Sequence, residues 1–282
     1  MGIKKNKKFM KKWTGERLES FIQNKNTLEH LHRYAIAQKY TNGKIVLDIA
    51  SGEGYGSNLL ASNAKKVVGV DIAKEVVDSA NKKYIKNNLV FIEGSTDLIP
   101  CEDSCFDVVV SFETLEHHDK HQQMLLEIKR VLKSDGILII STPDKLYYTD
   151  KCNYKNPFHI KELYLNEFQN LLSLHFTGIN YFTQKCILNS IVIPLNDGIY
   201  KFEEYTGDFN ELEKVEKLEY VYIIAICSNS DLKILNNISV FQSAEITKSF
   251  ELSIINSVKQ SIRYRIGDCF IRPLKRIKTF FK

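Results

Sequence analysis

Short apolar segments alternate with amphipathic ones between residues 43 and 142. The intervening amphipathic segments carry apolar residues at helical spacing, as at Val76, Val77, Ala80 and Tyr84. Uninterrupted apolar strands that alternate with such helices predict a parallel sheet covered by helices on both faces. The predicted strands of this region lie at 44–48, 67–71, 89–92, 106–110 and 137–140.

The pattern changes after residue 142 but still predicts regular elements. A helix is predicted over 165–174, and helical spacing returns over 243–266. The last two strands are predicted at 176–183 and 220–227, with an irregular insertion at about 186–218 between them.

Polar residues at helix ends predict where helices start and stop. Asn26 and Glu29 can form a capping box, which predicts a helix that runs through Tyr40. Asp119 is the predicted N-cap of the helix before the fifth strand, and the Asp135-Gly136 pair is predicted to end that helix.

Composition limits the class of protein. Of 282 residues, 44% are hydrophobic and 26% are charged, which excludes a mostly disordered chain. No apolar run approaches the roughly 18–20 residues that span a bilayer. The basic N-terminus is not followed by the apolar core of a signal peptide. The six cysteines include no C-x-x-C pair, so we expect reduced thiols and a cytoplasmic location.

The net charge of +5 is distributed unevenly. Residues 1–12 contain six lysines and no acid, residues 259–282 carry a net charge of +7, and the interior carries −8. Basic ends suit phosphate groups. On a helical wheel, residues 268–282 place apolar and basic side chains on opposite faces, which is typical of a membrane-surface helix; the alternative is a packed terminal helix. Because the interior is acidic and shows no nucleic-acid module, we expect no nucleic-acid partner.

A glycine-rich turn follows the first predicted strand. Glycines stand at 52, 54 and 56, a G-x-G-x-G spacing that differs from the G-x-G-x-x-G of pyrophosphate-binding loops. Glycines in such a turn let the backbone approach a ligand closely. Asp48 ends the first strand, and Asp71 ends the second, where a carboxylate can bind both hydroxyls of a ribose. An acid just before the turn suits a ligand with an ammonium group better than a diphosphate.

These motifs together resemble the class I, Rossmann-like S-adenosylmethionine-dependent methyltransferases. The matching motifs are the loop at 48–56, the acid at 71, and the segments at 94–100, 111–117 and 130–136. The resemblance covers roughly residues 14–230 and implies S-adenosyl-L-methionine as the cofactor.

The resemblance implies an α/β fold: a Rossmann-like, doubly wound, mostly parallel seven-stranded sheet with helices on both faces. An N-terminal helical cap and a basic C-terminal helical tail complete this expectation. We expect the basic N-terminus and cap helix at 1–42, the methyltransferase domain at 43–228 and the C-terminal extension at 229–282.

The resemblance also implies which residues bind the methionine half of the cofactor. Gly52, Gly54 and the neighbouring backbone of Ala50 and Ser51 would line this half, and Asp48 would orient it through water.

The remaining cofactor contacts follow the next three strands. Asp71 would hold the ribose hydroxyls, and Ile72 would pack on the adenine. Ser95 and Thr96 would flank the adenine edge, although the family more commonly has Asp where Ser95 stands. Ser111 and Phe112, after the fourth strand, are further candidate cofactor-binding residues.

A second resemblance concerns the flanks of the domain. Segments 14–17, 29–34 and 156–163 are similar to those of methyltransferases found in bacterial surface-polysaccharide gene clusters. In that family the first helix lies over the cofactor, so Arg33 and Tyr34 would lie near its carboxylate; the alternative is a surface arginine and a packed tyrosine.

The second resemblance implies that the acceptor is a sugar hydroxyl of a surface glycan or its lipid-linked precursor. The basic tail would then hold the enzyme at the inner face of the membrane, where a lipid-linked precursor is assembled. The alternatives are a quinone or lipid-headgroup methyltransferase and a cofactor-binding partner protein without turnover.

A sugar hydroxyl must lose its proton to accept a methyl group, and histidine is the usual base near neutral pH. His159, with Glu162 to orient it, is the first candidate base, and His117 is the second. The histidines at 117, 118 and 121 also resemble a metal-binding cluster. We expect the polar start of a helix there and no metal.

Overall fold

The computed structural model describes residues 17–22, 24–186, 205–207, 212–214, 220–232, 239–241 and 243–261. The basic N-terminus at 1–12, the tail at 268–282 and most of the predicted insertion lie outside these residues. Among the described helices, none has both the length and the hydropathy that a membrane span requires.

A seven-stranded sheet organises the fold, in the spatial order β3-β2-β1-β4-β5-β9-β6. The first five strands in this order are parallel, and β9 is antiparallel to both of its neighbours. The predicted, mostly parallel α/β sheet is therefore confirmed. Its strands are β1 (Ile45–Ile49), β2 (Lys66–Asp71), β3 (Leu89–Glu93), β4 (Phe106–Phe112), β5 (Leu132–Pro143), β6 (Gly178–Gln184) and β9 (Tyr222–Ser228). A separate antiparallel pair consists of β7 (Tyr205–Gly207) and β8 (Leu212–Lys214).

Successive strand residues point to opposite sides of the sheet, so the apolar strands present side chains on both faces. Helices cover both of these faces. On one face, Met124 and Phe168 belong to a core that includes Leu47 and Val109. On the other face, Tyr34 belongs to a core that includes Val46 and Val108, the strand neighbours of Leu47 and Val109. The helices are α1 (Lys25–Thr41), α2 (Tyr55–Leu60), α3 (Lys74–Lys83), α4 (His121–Val131), α5 (Leu165–Ser173) and α6 (Ala244–Gln260).

The predicted cap of α1 was wrong by two residues. Asn24, rather than Asn26, is the N-cap. Its side-chain oxygen accepts from the Thr27 backbone amide at 3.2 Å, and the Thr27 hydroxyl oxygen accepts from the Asn24 backbone amide, also at 3.2 Å. Glu29 is instead buried and pairs with Lys25, one helical turn earlier.

Both predicted ends of α4 were also wrong. The helix starts at His121 with Lys120 as its N-cap, and Asp119 lies outside it. The helix ends at Val131, four residues before Asp135, because Cys105 donates a backbone hydrogen bond to the Val131 carbonyl and draws the chain into the sheet. The extra residues are accommodated by a register shift in the β4–β5 pairing, between Phe106 and Val108.

The third glycine of the loop is required by packing inside the protein. A Cβ atom on Gly56 would lie 1.9 Å from Cζ of the Tyr34 ring. The absence of a side chain here lets α1 lie against the start of α2.

We therefore expect Gly56→Ala to lower the free energy of unfolding by about 1–3 kcal/mol, the usual cost of overpacking a core. Chemical denaturation of the variant and the parent chain would measure this loss. In a Tyr34→Ala background the obstacle is gone, and alanine favours a helix over glycine by about 1 kcal/mol. An equal loss in both backgrounds would refute the packing explanation.

Candidate active site

A cavity of about 500 Å³ opens where β1, β2, β3 and β4 end. In open α/β sheets, ligands bind outside the carboxyl ends of the strands. The loops after these strands form one wall, and Asn26, His30 and Tyr34 of α1 form another. Predicted site residues that line this cavity are Tyr34, Ala50, Ser51, Gly52, Asp71, Ile72, Ser95, Thr96, Phe112 and His117.

The glycine loop combines an open position with packed ones. Gly52 has φ +55° and nothing within 4 Å of its missing Cβ, so a ligand can approach its backbone. Gly54 has φ +94°, and a Cβ there would lie 2.7 Å from the Phe91 ring, so this glycine serves packing and does not line the cavity. The buried hydroxyl of Ser51 has no hydrogen-bond partner in the described part of the chain, which leaves it available to a ligand.

Asp48 lies behind the loop, buried and outside the cavity lining. Its carboxylate accepts hydrogen bonds from the hydroxyls of Ser57 at 2.6 Å and Tyr34 at 3.3 Å. Burial raises the pKa of Asp48 to about 7, although both hydrogen bonds oppose the shift. Its effect on a ligand must therefore pass through the loop, through Tyr34 or through water.

Asp71 ends β2 with its carboxylate held by backbone amides. Gly52 donates to one oxygen at 2.9 Å and Ala73 to the other at 3.0 Å, while Arg17 forms an ion pair at 3.5 Å. The adjacent Ile72 side chain is 68% exposed and lines the cavity, where it offers an apolar surface to a flat ligand.

The segment after β3 contains a carboxylate that the sequence interpretation missed. Asp97 lines the cavity, accepts a hydrogen bond from the Ser95 hydroxyl and pairs with Lys120 at 2.5 Å. The Lys120 hydrogen bond, followed by that of Ser95, lowers the pKa of Asp97 to about 2. Asp97 thus provides a negative charge near Ser95.

Two other predicted cofactor-binding residues are buried away from the cavity. Ser111 is fully buried and does not line it. Arg33 is 1% exposed; its Nε donates to Gln184 at 2.8 Å, its Nη1 lies 3.3 Å from the Glu113 carboxylate, and its guanidinium lies 4.3 Å from the Tyr222 ring centre. Arg33 therefore joins α1 to the ends of β4, β6 and β9, which excludes the surface alternative.

The three predicted catalytic residues lie together. The His117 and His159 rings meet edge to face with centroids 5.2 Å apart, and His159 Nδ1 lies 2.5 Å from the Glu162 carboxylate. His117 lines the cavity, whereas His159 and Glu162 lie beyond it. Asn156 Nδ2 donates to His159 Nε2 at 2.9 Å.

Two carboxylates beside this group were not predicted. Glu113 adopts φ +52° and accepts from the Ser141 hydroxyl at 2.7 Å. Glu116 is 1% exposed and accepts from the Thr142 hydroxyl at 3.2 Å. Burial, with the nearby Glu113 charge, raises the pKa of Glu116 well above its ordinary value. Both belong to the segment 111–117 that carries the family resemblance, which was the sequence signal for them.

The histidines at 117, 118 and 121 do not surround a common position. His121 Nε2 donates to the His118 backbone carbonyl at 2.7 Å, and His118 Nε2 lies 3.3 Å from the Met124 sulfur. Neither joins His117 in a group of ligand atoms within the described residues.

Comparisons with known proteins agree with this geometry. Residues 47–140 match the family model described as a methyltransferase domain. A probable S-adenosylmethionine-dependent methyltransferase of Mycolicibacterium smegmatis is 34% identical over 131 residues, 46% of this chain and 50% of that protein. A ubiquinone biosynthesis O-methyltransferase of Haemophilus ducreyi is 33% identical over 107 residues, 36% of this chain and 45% of that protein. The matched region thus spans about half the length of these relatives.

The fold is also that of a solved structure. The YcgJ protein of Bacillus subtilis superposes with a TM-score of 0.51 at 18% identity, over 72% of this chain and 100% of that chain. The strand order is therefore that of a Rossmann-like fold shared with this solved structure, and residues 47–140 are similar to methyltransferase domains.

The pKa of Asp48 yields a prediction for cofactor binding. S-adenosylhomocysteine carries an ammonium group, which an ionised carboxylate attracts and a protonated one does not. Affinity should therefore rise with pH through about 7, by up to about tenfold per pH unit below the pKa of Asp48. Calorimetry at several pH values would measure the slope. An unchanged slope in Asp48→Asn, which keeps the hydrogen-bonding shape, would assign the titration to another group.

Proposed function

We propose that this protein is an S-adenosylmethionine-dependent O-methyltransferase that methylates a sugar hydroxyl of a surface glycan or its lipid-linked precursor. One observation carries the proposal: a single cavity is lined by Gly52 and Asp71 and also by His117. The cofactor and the group that activates the acceptor would thus share one space.

The residues of the cavity fit the cofactor. The Ser51 hydroxyl has no hydrogen-bond partner among the described residues, and Gly52 leaves space beside its backbone. Two backbone amides hold the Asp71 carboxylate in a position where it would accept from the ribose hydroxyls. We assign the adenine edge to the segment from Ser95 to Asp97. The methionine half would lie against the loop in front of Asp48.

Methyl transfer requires the acceptor oxygen in line with the sulfonium methyl group. The carbon–oxygen bond forms as the carbon–sulfur bond breaks, and S-adenosylhomocysteine leaves. Positioning of this kind contributes up to about 7–11 kcal/mol in well-oriented model reactions. The hydroxyl proton must also be lost, and we assign activation of the hydroxyl to His117 and His159, with Glu162 orienting His159.

Aromatic side chains near these histidines support a sugar acceptor. The Tyr148 ring stacks on His159 with centroids 5.1 Å apart, and Tyr154 contacts Tyr148 edge to face. Phe158 and Ile160, from the same loop, are partly exposed, and Ile160 lines the cavity. Apolar and aromatic surfaces of this kind suit the C–H faces of a sugar ring.

A quinone precursor is the second candidate acceptor, favoured by the similarity to the ubiquinone biosynthesis O-methyltransferase. Transfer of a labelled methyl group to isolated lipid-linked glycan or to a polyprenyl catechol separates the two acceptors. Cofactor binding without transfer to any acceptor would favour a non-catalytic binding protein.

The function is tested first through Asp71. Asp71→Ala should weaken S-adenosylhomocysteine binding by roughly 1.5–3 kcal/mol, the scale of hydrogen bonds lost to a charged group. Calorimetry on the folded variant measures the change. Asp78→Ala, which removes an exposed carboxylate of α3, is the matched control and should bind normally. Equal binding by the parent chain and Asp71→Ala would contradict the assigned ribose contact.

Membrane contact is tested through the basic segment at 268–282, which lies outside the described residues. Each basic residue contributes about 1 kcal/mol of attraction near an anionic bilayer, and salt screens it. The full chain should co-sediment with anionic vesicles at low salt and much less with neutral vesicles, whereas a chain ending at Ile266 should not. Co-sedimentation of both forms would transfer the role to the lysines of residues 1–12.

A further inference from the structure

Two segments that are distant in sequence are held together beside the cavity. The 3₁₀ turn at Leu115–His117 follows β4, and the second segment is the loop at 156–162. The backbone amides of Ile160 and Lys161 both donate to the Glu116 carbonyl, at 2.8 and 3.1 Å. Main-chain hydrogen bonds therefore fix how the side chains of the two segments face each other before any ligand arrives.

The junction brings three potential metal ligands together. Glu116, His117 and His159 each offer one ligand atom, and these atoms lie within 4.8 Å of one another. Bonds of about 2.1 Å to a shared ion allow two ligand atoms to be at most roughly 4.2 Å apart. A contraction of about half an ångström would thus complete the site, which is within the reach of side-chain torsions.

Hydrogen bonds orient both imidazole rings as they are oriented in metal sites. Nδ1 of His117 donates to the Phe158 carbonyl at 3.0 Å, and Nδ1 of His159 faces Glu162. Glu162 is itself held by the Thr149 hydroxyl at 2.5 Å. With these acceptors at Nδ1, each neutral ring would present Nε2 to an ion, and a carbonyl or carboxylate behind a ligating histidine is the usual supporting contact of metal ligands. Binding of an ion by His159 would displace its contact with Asn156.

Several carboxyl groups lie around the junction and can serve a cation. Glu116 and Glu162 lie beside the two histidines, and Glu113 lies near Glu116. Arg33 forms an ion pair with Glu113. A buried carboxylate is costly unless a charge or several hydrogen bonds compensate it. Glu116 accepts a hydrogen bond from the Thr142 hydroxyl at 3.2 Å, and a backbone hydrogen bond and the nearby Arg33 charge also stabilise its ionised form; a bound cation would add to these contacts.

We propose that Glu116, His117 and His159 bind a divalent first-row transition metal ion, to which the acceptor hydroxyl coordinates during methyl transfer. Two imidazoles and one carboxylate suit such ions and leave coordination positions open. This inference rests on the proposed function and specifies how the hydroxyl is activated. The ion lowers the pKa of the coordinated hydroxyl; its proton passes to solvent, and the oxygen takes the methyl group as S-adenosylhomocysteine leaves.

The experiment is a titration of the full, metal-stripped chain with Co²⁺, followed by calorimetry and by visible absorption of the bound ion. We expect one ion per chain. Glu116→Gln and His159→Gln should each weaken binding by at least about 100-fold, and Glu162→Gln by about 10–100-fold, as supporting residues do. His121→Gln, a histidine of the same sequence stretch outside the group, is the matched control and should bind normally.

Binding of S-adenosylhomocysteine serves as the test of folding and keeps the two proposals separate. If the parent chain binds S-adenosylhomocysteine but no Co²⁺, the metal site is refuted and the proposed function stands. If neither ligand binds, the proposed function fails as well. Undiminished Co²⁺ binding in folded Glu116→Gln and His159→Gln, or an equal loss in His121→Gln, would also refute the site. Chelation should lower turnover, and Co²⁺ should restore it in the parent chain only.

Discussion

The buried carboxylate of Asp48 is the constraint on which the cofactor end of the cavity depends. An ionised carboxylate without partners is among the most costly groups to bury, so its hydrogen bonds to Tyr34 and Ser57 restrict how α1 and α2 pack. Tyr34 can reach Asp48 only because Gly56 has no side chain. One charged group thus couples the cap helix, the first strand and the glycine loop.

A second buried charge organises the opposite side of the cavity. Arg33 extends from α1 to Gln184 and Glu113, at the ends of β6 and β4. The same helix therefore contacts both ends of the cavity, Asp48 through Tyr34 and Glu113 through Arg33. Because these are adjacent residues, a small shift of α1 would alter both ends together, which gives the cap helix a direct influence on cofactor and acceptor geometry.

The strand pattern and the glycine loop were predictable because both depend on local sequence. Apolar runs placed β1, β2, β3 and β4 within two residues, whereas β5 starts at Leu132, five residues before its predicted start at 137. Helix ends were less predictable. The end of α4 depends on a backbone hydrogen bond from Cys105 across the sheet, which the local preference for a break at Asp135-Gly136 does not reveal.

The sequence by itself determined the fold class, the cavity-lining Gly52 and Asp71, and the closeness of His159 to Glu162, which are three residues apart. The tertiary structure alone decided that Gly54 and Gly56 serve packing, because their neighbours Phe91 and Tyr34 come from distant segments. It also decided which histidines meet. His117 joins His159 rather than the adjacent His118, since ring orientation is set by the backbone of the loop at 156–162. Spacing along a chain fixes periodic contacts within an element, whereas contacts between loops depend on how the whole sheet places them.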